Sequence, residues 1–479
     1  MAADPAKTSV RSLLGEQKST FSEIQLSGGN PSDWTYSFGA GYNRTDGFGE
    51  RKAGQPRDSY TVPVLTGDVQ KRFKHGSLLL SLGNSEATTD YNESVAFQDA
   101  KFHTSYASLT YKEDTAKNPI LARVYYNSLI LNGLNQNFAT MQTYDAEIQQ
   151  SRTLSAAHNL VYGISLRHGQ ASSFATGAHN HTEELFALYA QDDFRFGPRT
   201  HLFAGVRFDE HSLYGLEFTP RLSLVHSLPS KQSLRLSYGT SFRNPSLANT
   251  FLDYKVDLAP GLTSVITGNR DLKPEKVSSI EMGYRKEVRG GYFGANLFYN
   301  KVTGLIDTVP ITFAPSPPFP AGIALSSSYK NILNASVLGM ELEGEFRISK
   351  GVRALANYSY QDAEYDQGSR VDFSPRHKAN LGIQANLSSR VDGYLGVHFV
   401  GSSTYQSPTG LQTNPAYTRV DARLGYRFGP PQRSWTVSAV VTNLFDDKHL
   451  EVPVVTLPVA AIQSTPQRRT LYMMLSGKF

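Results

Sequence analysis

Strict alternation of apolar and polar residues over long segments is the feature that most constrains this sequence. The clearest example spans residues 417–428, and the same period appears over residues 234–238, 338–348 and 434–442. In the first segment the even positions from 420 onward are apolar, namely Val420, Ala422, Leu424, Tyr426 and Phe428. Because successive side chains of a β-strand point to opposite faces, this pattern predicts strands with one apolar face.

The predicted strands are too long for an ordinary soluble sheet. They run for roughly 10–14 residues against about 5–6 in soluble proteins, and a tilted strand of about 9–11 residues crosses a bilayer. Hydrophobic residues make up only 39% of the chain, with a mean hydropathy of −0.35. A membrane barrel has such a composition because every second residue faces a polar interior. Length and alternation therefore favour a membrane barrel over a propeller or a sandwich.

The alternation divides the chain into 22 candidate strands. They lie near residues 8–15, 19–28, 33–44, 65–73, 76–84, 101–112, 120–131, 139–152, 158–168, 183–196, 201–211, 217–227, 232–243, 277–288, 292–304, 336–348, 352–365, 376–388, 392–404, 417–428, 434–446 and 468–479. The first strand alternates poorly and is supported mainly by the parity of the count. Its link to the second strand is also shorter than the pattern of the other links suggests.

The links alternate between short and mostly longer, as short periplasmic turns and long extracellular loops do in outer-membrane barrels. An open sheet edge in hydrocarbon would leave backbone groups unpaired at a cost of several kcal/mol each, so we expect a closed ring. The predicted fold is an all-β, transmembrane, antiparallel β-barrel of 22 strands over residues 8–479, with residues 1–7 as a leader or a remnant of cloning. A ring of this width is not filled by its own side chains and is either plugged or open.

Several functional classes receive no support from the sequence. The chain has no cysteine, which excludes disulfides and cysteine-based metal sites. No run of about 18 apolar residues predicts a membrane-spanning helix. The net charge of +5 is spread along the chain without a basic run, so no nucleic-acid partner is expected. No nucleophile elbow or metal triad stands at recognisable spacing. We therefore expect no enzyme activity, no metal site and no cofactor.

Three motifs resemble the barrel of TonB-dependent outer-membrane receptors. Residues 238–247, YGTSFRNPSL, resemble the family's strand end Y-x-x-x-F-R-x-P-x-L, and residues 269–275, NRDLKPE, resemble the segment N-x-x-L-K-P-E that enters the next strand. The matching residues are Phe242, Arg243, Pro245, Asn269, Leu272, Lys273, Pro274 and Glu275. Residues 441–448, VTNLFDDK, followed by a closing strand, complete a resemblance that covers nearly the whole chain.

The resemblance implies a monomeric receptor-transporter in the outer membrane of a Gram-negative bacterium. The implied ligand is scarce, most often a ferric siderophore, with cobalamin or an oligosaccharide as other options. Family members carry an N-terminal plug that contacts the energising TonB system, whereas this sequence reaches barrel strands almost at once. The expectation is a barrel without its plug, linked to TonB only through that missing domain. The alternative is a plugless passive diffusion pore or a surface-binding barrel.

Aromatic and histidine residues of the predicted extracellular loops are the ligand-binding candidates. They are Tyr60, Tyr91, Phe97, Phe174, His179, His181, Phe313 and Phe319. The aromatic residues could stack on a ligand or pack the loops together, and the His-Asn-His cluster could capture iron or heme or simply lie in a polar loop. Residues 248–268 contain no histidine, which argues against heme.

The motif residues are expected to be structural, since X-Pro dipeptides end strands and Lys273 can pair with Glu275. A row of Glu341, Glu343 and Glu345 could form a cation or ligand path. The preferred interpretation is a solvated lumen face balanced by arginines such as Arg353.

The C-terminal strand ends on an aromatic residue, Phe479, that shares one face with Leu471, Met473 and Leu475. This ending resembles the signal that the outer-membrane barrel-assembly machinery reads. We therefore expect Phe479 to act as an assembly signal, with an interfacial girdle aromatic as the alternative.

Overall fold

The structure, a computed structural model, is almost entirely β-sheet. It describes residues 7–47, 59–89, 100–114, 118–133, 136–173, 176–177, 180–259, 261–309, 312–316, 322–407, 410–430, 433–451, 455–457, 460–462 and 466–478. Among these residues, no helix has the length and apolar character needed to cross a membrane.

The described residues form 29 strands and one short helix, α1 (Leu247–Phe251). The strands are β1 (Lys7–Gly15), β2 (Thr20–Gly29), β3 (Trp34–Thr45), β4 (Tyr60–Phe73), β5 (Gly76–Thr89), β6 (Ala100–Glu113), β7 (Ile120–Gly133), β8 (Gln136–Thr153), β9 (His158–Ser173), β10 (Asn180–Phe196), β11 (Thr200–His211), β12 (Gly215–Leu228), β13 (Gln232–Arg243), β14 (Asp253–Ala259), β15 (Leu262–Thr267), β16 (Glu275–Val288), β17 (Gly291–Thr308), β18 (Thr312–Ser316), β19 (Gly322–Ser349), β20 (Val352–Tyr365), β21 (His377–Asn386), β22 (Val391–Val400), β23 (Ser403–Ser407), β24 (Gly410–Asn414), β25 (Tyr417–Phe428), β26 (Trp435–Thr442), β27 (Val455–Leu457), β28 (Ala460–Ile462) and β29 (Thr470–Lys478).

Twenty-two of these strands form a closed antiparallel barrel. The wall consists of β1–β13, β16, β17, β19–β22, β25, β26 and β29. β1 pairs with β2 on one side and with β29 on the other, from Ser9 opposite Lys478 to Gly15 opposite Tyr472. The predicted fold and the weakly supported first strand are both confirmed.

The two faces of the wall have the chemistry that the alternation predicts. Leu424, Met473 and Leu338 are 54%, 56% and 59% exposed on the outer face, where a bilayer would cover them. Their sequence neighbours point into the lumen, where Arg423 contacts Asp392 of the adjacent strand. The barrel therefore presents an apolar band to lipid and a polar surface to its interior.

Strand boundaries differ from the prediction mainly at one end of the barrel. β4 begins at Tyr60 rather than at residue 65, and β19 begins at Gly322 rather than at 336. Backbone pairing continues beyond the apolar band, where the sequence no longer needs to alternate. β26 instead ends early, at Thr442 rather than at 446, because Asn443 and Asp446 adopt left-handed conformations with φ of 52° and 55°.

The links fall into two sets at opposite ends of the wall. The turn end holds links 30–33, 74–75, 114–119, 154–157, 197–199, 229–231, 289–290, 350–351, 387–390 and 429–434. The loop end holds links 16–19, 46–59, 90–99, 134–135, 174–179, 212–214, 244–274, 309–321, 366–376, 401–416 and 443–469. Four loop-end links, 16–19, 134–135, 174–179 and 212–214, are no longer than the turn-end links, and Gln17 and Lys18 make the first of them possible with φ of 53° and 49°.

Candidate ligand site at the loop end

A buried carboxylate fixes the point where the longest loop-end link leaves and re-enters the wall. Arg243 ends β13 and lies opposite Glu275, which begins β16. The Arg243 Nε–H donates to Glu275 Oε2 at 2.5 Å, and the Ile306 backbone N–H donates to Glu275 Oε1 at 2.8 Å. Glu275 is only 4% exposed, so its lone pairs depend on these donors. One side chain thus joins β13, β16 and β17 at the barrel mouth.

Helix α1 is attached to the wall by a buried tyrosine. Ser246 caps the helix by accepting the Asn249 backbone N–H, and Pro245 precedes it in an extended segment. The Tyr214 hydroxyl lies 3.2 Å from the Pro245 carbonyl and 2.8 Å from Thr250 Oγ1. Burial raises the pKa of Tyr214 above its usual value, so the hydroxyl remains protonated and can donate. The 212–214 link therefore holds α1 in a fixed position.

The segment that returns to the wall is held mainly by asparagines. Asn269 Nδ2 donates to the Tyr329 carbonyl at 2.8 Å. Asn331 Oδ1 accepts the Lys273 N–H at 2.9 Å, and Asn331 Nδ2 lies 2.9 Å from the Lys273 carbonyl and 2.6 Å from the Gly304 carbonyl. Leu272 and Pro274 are buried beside these contacts. The contacts favour a structural role for this motif. The suggested Lys273–Glu275 pair is not formed, because Glu275 pairs with Arg243.

A small sheet continues the wall on the same side of the loop end. β14 and β15 form a hairpin inside link 244–274, and β15 pairs in parallel with the first part of β19, from Leu262 opposite Ile323 to Thr267 opposite Ser328. β18 pairs with the other side of β19. Backbone hydrogen bonds therefore shape much of link 244–274.

The third motif, residues 441–448, forms a local hydrogen-bonded turn at the end of β26. The Asn443 N–H donates to Asp421 Oδ1 at 2.9 Å, and the Asn443 side chain exchanges two hydrogen bonds with the backbone of Asp447. Asp446 accepts the Arg469 backbone N–H at 2.8 Å, and this contact lowers the pKa of Asp446. The motif sets the start and the end of link 443–469.

Few of the ligand-binding candidates fall in the part of the chain that the structure describes. Tyr60 begins β4 at the barrel mouth, and its hydroxyl lies 3.4 Å from Asn43 Nδ2. His181 stacks on Phe251 of α1 with ring centroids 4.0 Å apart. Five strands, β5–β9, separate these two candidates, so the structure does not bring them together. The backbone of Phe313 lies in β18. Tyr91, Phe97, Phe174, His179, Phe319 and Phe479 lie outside the described residues.

Charged side chains of the lumen wall form matched pairs between neighbouring strands or, for Arg285 and Glu343, across the one strand that separates β16 from β19. They include Arg123–Glu147, Arg167–Asp145, Arg235–Glu281, Arg285–Glu343 and Arg353–Glu345. The last two involve the predicted glutamate row, with N–O distances of 3.6 and 3.1 Å. These pairs favour the interpretation of that row as a solvated face balanced by arginines.

Sequence reasoning missed the residues that hold the motifs in place. Tyr214 lies in a link with no motif of its own, and Asn331 lies 58 residues from Lys273, which it contacts. The only available signal was the recurrence of asparagine at positions 331 and 334, since Asn334 Oδ1 accepts the Gly304 N–H at 2.9 Å.

Comparisons with known proteins agree with this architecture. The sequence profile of the family described as "TonB dependent receptor-like, beta-barrel" matches residues 17–444. An iron-regulated outer membrane virulence protein of Vibrio cholerae is 24% identical over 310 residues, which cover 61% of this chain and 46% of that protein. A ferric enterobactin receptor of Pseudomonas aeruginosa is 24% identical over 293 residues, which cover 55% of this chain and 38% of that receptor. The chain thus matches about half or less of the length of these relatives.

Solved structures share the fold at low sequence identity. The siderophore receptor PirA from Acinetobacter baumannii superposes with a TM-score of 0.84 at 15% identity, covering 100% of this chain and 81% of that chain. PirA from Pseudomonas aeruginosa gives a TM-score of 0.78 at 17% identity, covering 100% of this chain and 81% of that chain.

Proposed function

Since the chain belongs to the TonB-dependent receptor-like β-barrel family, we propose that it is the membrane-spanning part of an outer-membrane receptor that takes up a ferric siderophore. The turn end is then periplasmic and the loop end extracellular. Relatives named as receptors for ferric enterobactin and other siderophores support this ligand class, while a vitamin B12 transporter of Vibrio cholerae, 24% identical over 253 residues, makes cobalamin the alternative to test. The relatives are transport receptors rather than enzymes.

The anchored link 244–274 is the observation that carries the proposal. Recognition residues work best on loops that a rigid scaffold positions. Glu275, Tyr214 and Asn331 provide such a scaffold at the extracellular mouth. A bulky, scarce ligand can thereby be held above a lumen lined with polar side chains.

Direct binding tests the ligand class. The refolded chain is titrated with ferric enterobactin and, separately, with cobalamin, and quenching of intrinsic fluorescence is recorded. We expect saturable binding of the ferric siderophore only, weakened by Tyr60→Ala. Phe73→Ala, at the opposite end of the same strand, is the matched control. Saturable binding of cobalamin alone would contradict the siderophore assignment.

Energised uptake is proposed for the complete receptor, in which a plug domain connects the barrel to TonB. A 22-strand ring is too wide to be filled by its own side chains, so selective transport needs such a domain. The test is uptake of radioactive ferric siderophore by cells that carry the chain joined to the plug of a relative. Uptake that persists without TonB would contradict energised transport.

A passive pore is the second candidate, because the described residues close the wall by β1–β29 pairing without using a segment inside the lumen. Conductance across a planar bilayer separates the two candidates. A large, ungated conductance that ferric siderophore does not reduce would favour the pore.

We also propose that the barrel is a monomer whose assembly depends on Phe479. The outward positions of β29 that precede it, Leu471 and Met473, are exposed to lipid as the alternation requires. Deleting Phe479 should lower heat-modifiable barrel in cells far more than it lowers refolding in detergent. Equal losses in both would contradict an assembly signal, and crosslinking in the membrane tests the monomer.

A further inference from the structure

The described links of the turn end carry more cations than carboxylates. Seven Lys or Arg residues lie in the described part of its links, and we call them the cation ring: Lys74, Arg199, Lys231, Arg289, Lys350, Arg390 and Arg433. All seven are exposed, and none forms an ion pair within the described part of the chain. The described acidic residues of these links, Asp33 and Asp114, already pair with Lys71 and Arg72.

Elsewhere among the described residues both paired and unpaired cations occur, whereas none of the seven cations of the ring has an ion pair. Some lumen arginines face carboxylates of adjacent strands, as Arg123 faces Glu147. At the loop end, Lys18 pairs with Asp46 at 2.9 Å. A set of exposed, unpaired cations of one sign attracts anions from its surroundings.

Aromatic residues beside the turns indicate that the cation ring lies at the membrane–water interface. The lipid-facing ends of several strands carry a girdle directly beside the turns: Trp34, Phe73, Phe196, Phe428 and Trp435. Trp34, Phe73 and Phe196 are 50%, 50% and 53% exposed. Such girdles lie at the membrane–water interface. The cation ring, which follows the girdle in sequence and space, is therefore at the level of lipid headgroups.

We propose that the cation ring binds anionic phospholipid headgroups of the leaflet at the turn end, such as phosphatidylglycerol. The seven residues are distributed around the wall, from the β4–β5 turn to the β25–β26 turn. This distribution suits an annulus of lipid better than a protein partner, which would need its charges on one side. Juxtamembrane lysines and arginines recognise anionic lipid by this electrostatic mechanism. The inference does not depend on the identity of the transported ligand.

The chain's two tryptophans report lipid binding at the correct end, because Trp34 and Trp435 both belong to the girdle. The full chain is refolded into phosphatidylcholine nanodiscs that contain brominated phosphatidylglycerol or brominated phosphatidylcholine. Quenching of tryptophan fluorescence gives the relative association of the two lipids. We expect phosphatidylglycerol to be preferred about threefold or more at low salt, and this preference to shrink at high salt.

Two variants with equal charge loss localise the effect. The turn-end triple Lys350→Gln, Arg390→Gln and Arg433→Gln removes cations near Trp435 in the ring. The loop-end triple Lys255→Gln, Lys330→Gln and Lys448→Gln removes three exposed lysines at the other end. We expect only the turn-end triple to lose the preference. The charge-conserving triple Lys350→Arg, Arg390→Lys and Arg433→Lys should retain it, and heat-modifiable migration verifies folding of each.

Two results would overturn the proposal. One is that wild type associates equally with phosphatidylglycerol and phosphatidylcholine at low salt. The other is that the turn-end and loop-end triples lose the preference for phosphatidylglycerol to the same extent. Labelled poly-L-glutamate, added to the barrel in phosphatidylcholine nanodiscs, tests the protein alternative. Tight binding of this probe without a lipid preference would assign the ring to an acidic polypeptide instead.

Discussion

At the turn end the chain reverses within links as short as 74–75 and 289–290, whereas at the loop end it can travel through links as long as 244–274 before it re-enters the wall. Turn-end links are shaped locally. Ser230 and Lys231 reverse the chain with φ of 59° and 56°, and Gly290 with φ of 88°. Loop-end links are shaped by side chains from distant strands.

This difference indicates that the two ends of the barrel meet separate structural requirements. The turn end must reverse the chain at a membrane surface, which a few residues with suitable φ values achieve. The loop end must hold long segments over a wide opening, which requires buried polar groups with defined partners. Substitutions should therefore act locally at the turn end and through networks at the loop end.

The apolar band between the ends should be the least tolerant of charge. Leu381 lies in the middle of β21 and is 50% exposed on the outer face, whereas Gln384 of the same strand faces the lumen. Leu381→Arg should lower the free energy of unfolding by about 2–4 kcal/mol, because the guanidinium would enter hydrocarbon. Gln384→Arg should change it by less than about 1 kcal/mol. Urea unfolding in vesicles measures both, and equal effects would show that the strand faces are reversed.

The loop-end network should respond next most strongly. Glu275→Ala leaves the Ile306 N–H without its acceptor, which should cost about 1–3 kcal/mol. We also expect faster cleavage of link 244–274 by protease and faster hydrogen exchange at Ile306. Glu281→Ala is the matched control, since Glu281 forms an exposed pair with Arg235 that contributes at most about 1 kcal/mol. If both variants behave alike, Glu275 is not an anchor.

The turn end should show a smaller effect that is purely a matter of backbone conformation. Gly290→Ala places a Cβ at a φ of 88°, 3.4 Å from Arg347 Cβ, and should cost about 1 kcal/mol. Gly239→Ala in β13 is the control, because its Cβ would have no neighbour closer than 3.8 Å. Chemical denaturation measures both. A stabilising Gly290→Ala substitution would refute local control of this turn.

The smallest effect should be the pH dependence of one loop-end pair. A hydrogen bond and ion pair from Lys18 lower the pKa of Asp46 below 3.8. A lowered folded-state pKa contributes stability above the unfolded value that is lost as pH falls through the folded value. Thermal unfolding at successive pH values below about 4 should thus show a slightly steeper loss in wild type than in Asp46→Asn. Lys18→Gln should give a profile between those of wild type and Asp46→Asn, because Arg44 also lowers the pKa of Asp46. A Lys18→Gln profile identical to wild type would show that Lys18 is not the main cause.

The sequence was informative where structure depends on period and on local geometry. Alternation located the wall strands other than β1, which alternates poorly and was placed by the parity of the count, because lipid on one side and water on the other require a change of polarity at every second residue. It could not locate the loop-end limits of β4 and β19, which extend beyond the band by backbone pairing alone. For the candidate site, the motifs at 242–247 and 269–275 were identified, but their partners were not. Tyr214 and Asn331 act across 31 to 58 residues of chain, and no local pattern marks such contacts.

The seam between β1 and β29 has a consequence for the order in which the barrel can form. The Leu471 N–H donates to Glu16 Oε2 at 3.0 Å across a sequence separation of 455 residues. Until that seam closes, two strand edges remain open and every intermediate exposes unpaired backbone groups. Contacts of such long range slow folding, because a large loop must be closed before they form. Among the described wall strands, the one synthesised last, β29, therefore completes the pairing of β1, and the unfinished barrel must be shielded from aggregation until then.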